Sequence, residues 1–95
     1  MRTPAIYIMA NHQNGTLYIG VTSNLQKRVY EHKNAVIDGF SNKYNCKLLV
    51  FYEVHSTMES AIIREKQLKN YSRKKKLNLI EKVNSEWEDL YEFII

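Results

Sequence analysis

The stretch AIYIMANHQNGTLYIGVT, Ala5 to Thr22, decides the fold. Ala5 to Ala10 is apolar and β-prone, and Thr16 to Val21 reads as a second strand that ends at Gly20 and Thr22. Between them lies Asn11-His12-Gln13-Asn14-Gly15, dense in turn residues and closing on Asn-Gly. Two short strands around such a turn predict an antiparallel hairpin. Tyr7 and Tyr18 stand on the two strands, eleven residues apart, and can approach each other on the sheet. They have two readings: aromatic packing between paired strands, or two phenols held at a site.

Working outward, Ser23 with Gln26 forms a capping box, so a helix is expected from about residue 24 to before Gly39. Its apolar positions are Leu25, Val29 and Val36, with His32 in the same face. Residues 37–45 read as a loop carrying polar and aromatic groups. Lys47 to Val54 is a β-branched and aromatic run, expected as a third and central strand. Ser56 with Glu59 is a second capping box, opening a helix with Met58, Ala61, Ile62, Glu65 and Leu68 on one stripe. Ser72 can cap a further helix through Leu77, Ile80 and Val83. Ser85 with Glu88 is expected to open a last short helix bearing Trp87, Leu90, Tyr91 and Ile94. The order ββαβααα is that of an α+β fold, a small three-stranded antiparallel sheet with an N-terminal hairpin, flanked by helices.

Length and composition set the bounds. Ninety-five residues leave no room for a second core, so a single domain over residues 1–95 is expected. With 44% apolar and 25% charged residues, the chain has enough apolar surface to offset its ordering entropy, which excludes disorder. No apolar run approaches the length of a bilayer span. Pro4 to Ala10 is too short for a signal-peptide core. One cysteine, Cys46, excludes an intramolecular disulfide framework and a cysteine-rich zinc site, and a reducing cytoplasm is the expected location. The net charge of +4 is unevenly spread. Residues 1–80 hold thirteen Lys/Arg and five Asp/Glu, and residues 81–95 hold one and five. A basic body with an acidic tail fits a polyanionic partner such as nucleic acid, or simply a soluble basic domain.

Four features resist a purely structural account. Glu65 is a carboxylate on an otherwise apolar stripe, which is costly unless it forms a salt bridge, to a lysine for instance, or binds a cation. Arg28 and His32 are spaced i, i+4 on one helix face beside the Leu25/Val29 stripe. They are either a structural pair or a phosphate fork beside a proton switch. The third feature is the Tyr7 and Tyr18 pair. The fourth is Arg73-Lys74-Lys75-Lys76, which with Arg64, Lys66 and Lys69 puts seven positive charges against one negative in thirteen residues. It is a solvated helix face or a ridge for phosphates, and the phosphate-contacting set is expected to be Lys43, Lys69, Arg73, Lys74, Lys75 and Lys76. His12 and His55 have no partner at ligand spacing. No glycine loop suited to cradling phosphates is present, so nucleotide hydrolysis has no support.

Together these features resemble the GIY-YIG nucleases. Ala5-Ile6-Tyr7 followed by Tyr18-Ile19-Gly20 is similar to that family's paired motifs, with Ala5 where the family name has glycine. Leu25 to His32 looks like its first helix, which carries an arginine. Ile62-Ile63-Arg64-Glu65 looks like the helix bearing its metal-binding glutamate. Asn14 to Ser23 and Glu81-Lys82-Val83-Asn84 resemble the short, stand-alone bacterial branch. The resemblance spans roughly residues 4–93, and Asn84 is a candidate for a late asparagine found in some members.

The resemblance implies hydrolysis of DNA phosphodiester bonds with a single Mg²⁺ or Mn²⁺, by an endonuclease of repair or recombination. It implies Tyr7, Tyr18, Arg28, His32 and Glu65 as catalytic residues. Glu65 would hold the ion, Arg28 would clamp the scissile phosphate, and Tyr7 would help deprotonate the attacking water, with Tyr18 positioning it or sharing the proton; which tyrosine is the base is open at this level. A tyrosine base working at neutral pH needs its pKa lowered by the metal or a nearby cation. His32 would relay a proton or donate to phosphate. Two other readings are weighed against this one. The first is a non-catalytic nucleic-acid-binding module using the basic ridge. The second is an interaction domain using its acidic, aromatic C-terminal segment. The substrate's structure, DNA against RNA, and the oligomeric state, monomer or homodimer, are open at this level.

Overall fold

The structure is a computed structural model that describes residues 3–36 and 39–95. The hairpin forms as expected. Strand β1 (Ala5–Ala10) pairs antiparallel with β2 (Leu17–Thr22), with Tyr7 opposite Gly20 and Met9 opposite Tyr18. Asn14 takes the left-handed conformation at φ 59°, and the Asn11 side chain accepts from Thr16 N at 2.8 Å. Gly15 is required there, because a Cβ would come within 2.0 Å of Asn11 Oδ1.

Strand β3 (Leu48–Val54) pairs with the other edge of β1, so the sheet order is β2-β1-β3. The central strand is therefore β1, not the third strand as its composition suggested. The reason is visible in burial. All six residues of β1 are buried, whereas β3 runs out to Glu53 and the exposed Val54.

Helix α1 (Leu25–Lys33) is capped by Asn24, whose side chain accepts from Lys27 N, rather than by Ser23. Helix α3 (Met58–Lys69) is capped by Thr57 rather than Ser56. At both sites two adjacent residues can cap, and the one that sits at the turn into the helix does so. α1 ends early, because Ala35 is left-handed at φ 54°, and this leaves Val36 exposed beyond the helix. Within the stretch expected as loop, Phe40–Lys43 forms a short helix, α2; residues 37–38 of that stretch lie outside the described residues. Helix α4 (Arg73–Val83) starts at its predicted cap, Ser72. The last helix does not start at Ser85, because Trp87 is left-handed at φ 55°. A 3-10 turn, Leu90–Phe93, follows with Asp89 as its cap.

The sheet is covered on both faces. Ile6, Ile8 and Ala10 pack with Ala61, Leu68, Ile80 and Trp87 from α3, α4 and the segment beyond. Ala5, Tyr7 and Met9 pack with Leu25 and Val29 of α1 and with Cys46, and Leu90, Tyr91 and Ile94 close that side. Ala5 is 1% exposed in this second layer, so the small residue at the head of the first motif is a packing residue. The apolar stripe of α3 is narrower than its spacing implies. Ala61 and Leu68 are buried, but Ile62 is 37% exposed. Asn84 is the clamp that joins these parts. It is buried, donates to Val50 O and Glu88 O at 3.0 and 2.9 Å, and accepts from Glu88 N at 3.0 Å. No helix among the described residues is long and apolar enough to cross a membrane.

Candidate nuclease site

Tyr7 is the centre of the site because its strand is the centre of the sheet. Its side chain points to the α1 face, where the ring lies over Gly20 on the neighbouring strand. Tyr18, two residues before Gly20, faces the same way, and the two tyrosine rings sit 6.3 Å apart. α1 crosses this face with Leu25 and Val29 as anchors, and that register turns His32 inward: it is 4% exposed. His32 Nε2 lies 2.8 Å from Tyr7 Oη in a buried hydrogen bond. The His32 ring also contacts both tyrosine rings, at 5.4 and 5.2 Å. Arg28, one turn earlier, is half-exposed and pairs with Glu31 at 3.6 Å. With Thr22, Ser23, Asn24, Lys27 and Glu31 it lines an open polar cleft.

The electrostatics follow from burial. Loss of water pushes the Tyr7 phenol above its ordinary value, and Tyr18 adds to this; the Arg28 guanidinium pulls the other way. The cation expected to lower the phenol is present, but burial outweighs it. Burial also lowers His32, with Arg28 adding to the effect and Glu31 opposing it, to about 4. At neutral pH the buried pair is therefore an uncharged phenol hydrogen-bonded to an uncharged imidazole.

Tyr7, Tyr18, Arg28 and His32 are thus brought together by three elements. Glu65 makes no hydrogen bond or ion pair with them. It belongs to α3, whose Ala61 and Leu68 pack on the other face of the sheet, and its carboxylate meets Lys69 at 3.1 Å, with the Glu65 side chain 14% exposed. This is the lysine salt bridge that the apolar stripe left open as a reading. α3 packs across β1 and β2, and Lys69, one turn beyond Glu65, lines a cleft at the β2 edge with Tyr18, Phe40 and Lys76. Among the described residues no group of three or more His, Cys, Asp or Glu gathers to hold a metal. The donor set is a single carboxylate. That suits a hard cation that keeps most of its waters, with Lys69 as the charge it would displace.

The basic ridge is less free than its sequence implies. Arg73 donates to Asn14 O and Gly15 O, both at 2.6 Å, and so ties α4 to the hairpin turn. Arg64 is held by Glu53 on β3. Lys75 lies over the Tyr71 ring at 4.0 Å and Lys43 over Tyr44 at 5.5 Å. Lys74 is exposed, and Lys76 is partly buried in the β2-edge cleft.

Two neighbours of the site carried no signal in the sequence. Ser41 is buried on α2, and its Oγ lies 2.8 Å from His32 Nδ1. Phe40 stacks against Tyr18 with ring centroids 6.4 Å apart. Both sit in the stretch read as loop, and nothing in its pattern shows that α2 folds back onto α1 and β2. His55, given no role by spacing, bridges Glu53 and Ser60 at 2.8 and 2.6 Å and latches β3 to the start of α3.

Known proteins resemble the chain in sequence. A family model described as the GIY-YIG catalytic domain matches residues 3–78. The chain is 35% identical to a UPF0213 protein of Staphylococcus saprophyticus, over 79% of this chain and 90% of that protein. It is 32% identical to a UPF0213 protein of Staphylococcus haemolyticus, over 80% of this chain and 92% of that one. A UPF0213 protein of Staphylococcus aureus strain Mu50 is 33% identical over 70% of this chain and 82% of its own length. No solved structure matches. The paired tyrosine strands, the helix presenting Arg28 and His32 to them, and the family match over residues 3–78 place this chain in the GIY-YIG family.

Proposed function

We propose that the chain is a divalent-metal-dependent endonuclease that hydrolyses phosphodiester bonds in DNA. The observation that carries this reading is the buried Tyr7–His32 hydrogen bond, flanked by Tyr18 and with Arg28 at the mouth of a polar cleft. A packing role needs the tyrosine rings but not a phenol joined to a neutral imidazole beside a guanidinium.

Each residue takes a separate task. Arg28, half-exposed and forked, binds the scissile phosphate and offsets the charge that develops on it. Tyr7 accepts a proton from the attacking water, and its high intrinsic pKa means that it passes its own proton on rather than resting as a phenolate. His32, uncharged at neutral pH, is the acceptor at hydrogen-bond distance. Tyr18 orients the water. Glu65 would hold one Mg²⁺ or Mn²⁺, which when bound would supply charge stabilisation to the reacting phosphate. Lys69 and Lys76, in the cleft beside Tyr18, contact phosphates on either side of the cut, and Lys43, Arg73, Lys74 and Lys75 extend that track. The reading places the protein as one unit over residues 1–95, in a bacterial cytoplasm and acting in repair or recombination.

The test is cleavage of a labelled panel of duplex, single-stranded, flap and four-way-junction DNA with Mg²⁺, Mn²⁺ or EDTA. Cutting is expected only with metal, and Glu65→Gln should abolish it while retaining DNA binding. Binding without cutting on every substrate overturns the nuclease reading in favour of a nucleic-acid-binding module.

A further inference from the structure

We propose that Ser41 is a positioning residue that sets the tautomer of His32, holding its proton on Nδ1 so that Nε2 presents a lone pair to the Tyr7 hydroxyl. The inference rests on the nuclease reading of the site.

The geometry leaves His32 two partners and one ring proton. Nδ1 faces Ser41 Oγ at 2.8 Å, and Nε2 faces Tyr7 Oη at 2.8 Å. All three residues are at most 4% exposed, so water does not compete for either nitrogen. The imidazole is uncharged at neutral pH, so one nitrogen donates and the other accepts. If Nε2 carried the proton, it would donate to the phenol oxygen, and Tyr7 could not hand a proton to it. If Nδ1 carries it, Ser41 Oγ accepts and Nε2 is open. A neutral imidazole in water favours the proton on Nε2, so the productive tautomer needs a partner at Nδ1. The other groups around the ring do not supply one. Tyr18 meets it in a tilted ring–ring contact, and Arg28 and Glu31 pair with each other.

The proton then has a complete path. The attacking water gives a proton to Tyr7 Oη as Tyr7 gives its own to His32 Nε2. The resulting hydroxide forms the new P–O bond, and the P–O3′ bond breaks. The 3′ oxygenate takes a proton from solvent, and after release His32 Nε2 returns its proton to Tyr7 Oη as Tyr7 gives one up to the entering water, which resets the pair. The shuttle avoids a free phenolate, which burial of Tyr7 opposes.

The test is a long-range ¹H–¹⁵N NMR spectrum of the His32 imidazole in the full-length protein at pH 7, with and without Ser41→Ala. The expected result is an Nδ1-protonated ring in the wild type and a shift toward the Nε2-protonated form in S41A. In the cleavage assay, S41A should lower kcat at least roughly tenfold at unchanged KM. Ser41→Thr, which keeps the hydroxyl, should restore both. An Nε2-protonated wild type overturns the proposal with no variant needed, as does an S41A ring that keeps its tautomer. A shifted tautomer with kcat unchanged removes Ser41 from the proton path. A wild type that shows the Nδ1 proton but cuts no DNA defeats the nuclease reading, and with it the relay, independently of the spectrum.

Discussion

Gly20 is the floor on which the Tyr7 ring lies: a Cβ at Gly20 would come within 2.5 Å of both Tyr7 Cζ and Oη. The two residues are register partners across the hairpin, so the contact is built into the sheet. Gly20→Ala must therefore move the ring, and with it the hydroxyl that meets His32. We expect a loss of about 1–3 kcal/mol in stability together with loss of cleavage. The checks are urea unfolding and the DNA panel. A G20A protein that cuts at the wild-type rate would show that Tyr7 Oη need not be where the structure puts it.

Tyr7→Phe keeps the ring on Gly20 and removes only the oxygen. Cleavage is expected to fall by roughly a hundredfold or more, while stability changes by about 1–2 kcal/mol, the cost of leaving His32 Nε2 without its partner. Tyr18→Phe removes a hydroxyl from a partly exposed ring and should cost less in both respects. Single-turnover cleavage and thermal melts on the two variants separate these roles.

His32 makes stability depend on pH in a defined window. Its ring is held at about 4 in the folded chain, against an ordinary value near 6.5. The groups facing it are Tyr7, Tyr18, Arg28, Glu31 and Ser41. Because the folded value is depressed, the unfolded chain binds the proton first as pH falls. The contribution is therefore complete above about pH 6.5 and is lost progressively down to about pH 4, by up to roughly 3 kcal/mol. Urea midpoints at pH 7 and pH 4.5 measure this, and His32→Gln should flatten the difference. A wild-type slope equal to that of the variant would mean that the ring is charged inside the fold.

Arg73 and Lys74 are neighbours in sequence with opposite expectations. Arg73 holds the carbonyls of Asn14 and Gly15, so Arg73→Ala should destabilise the fold by about 1.5–3 kcal/mol. Lys74 is exposed, so Lys74→Ala should leave stability within about 0.5 kcal/mol. If Lys74 contacts phosphate, its loss lowers the salt slope of DNA binding by about one unit. Unfolding curves and a salt titration of binding, run on both variants, check the contrast.

Lys69 occupies the place beside Glu65 that a cation would take. Lys69→Met removes that charge and should strengthen Mn²⁺ binding to the free protein, read by paramagnetic broadening or calorimetry, and Glu65→Gln should abolish the binding. Weaker Mn²⁺ binding in K69M would place the ion elsewhere.

The hairpin, the alternation of helices after it and the α+β class were legible locally. They rest on Asn14-Gly15, on continuous apolar, β-prone runs and on capping residues, each a property of a few adjacent side chains. The i, i+4 spacing of Arg28 and His32 was legible for the same reason, since one helix turn fixes it. Exact caps were not, because Ser23 and Asn24, or Ser56 and Thr57, are chemically equivalent until the backbone enters the helix. Strand order was not legible either. The runs in β1 and β3 are equally apolar, and only packing on both faces makes β1 central. Several partners of the charged and polar residues came only from the tertiary structure. Glu65 with Lys69 is a local pair, but Arg73 with the turn, Arg64 with Glu53 and Ser41 with His32 join elements that the chain brings together over distance. A local pattern records which face of an element avoids water; it carries no term for what the opposing element will present to that face.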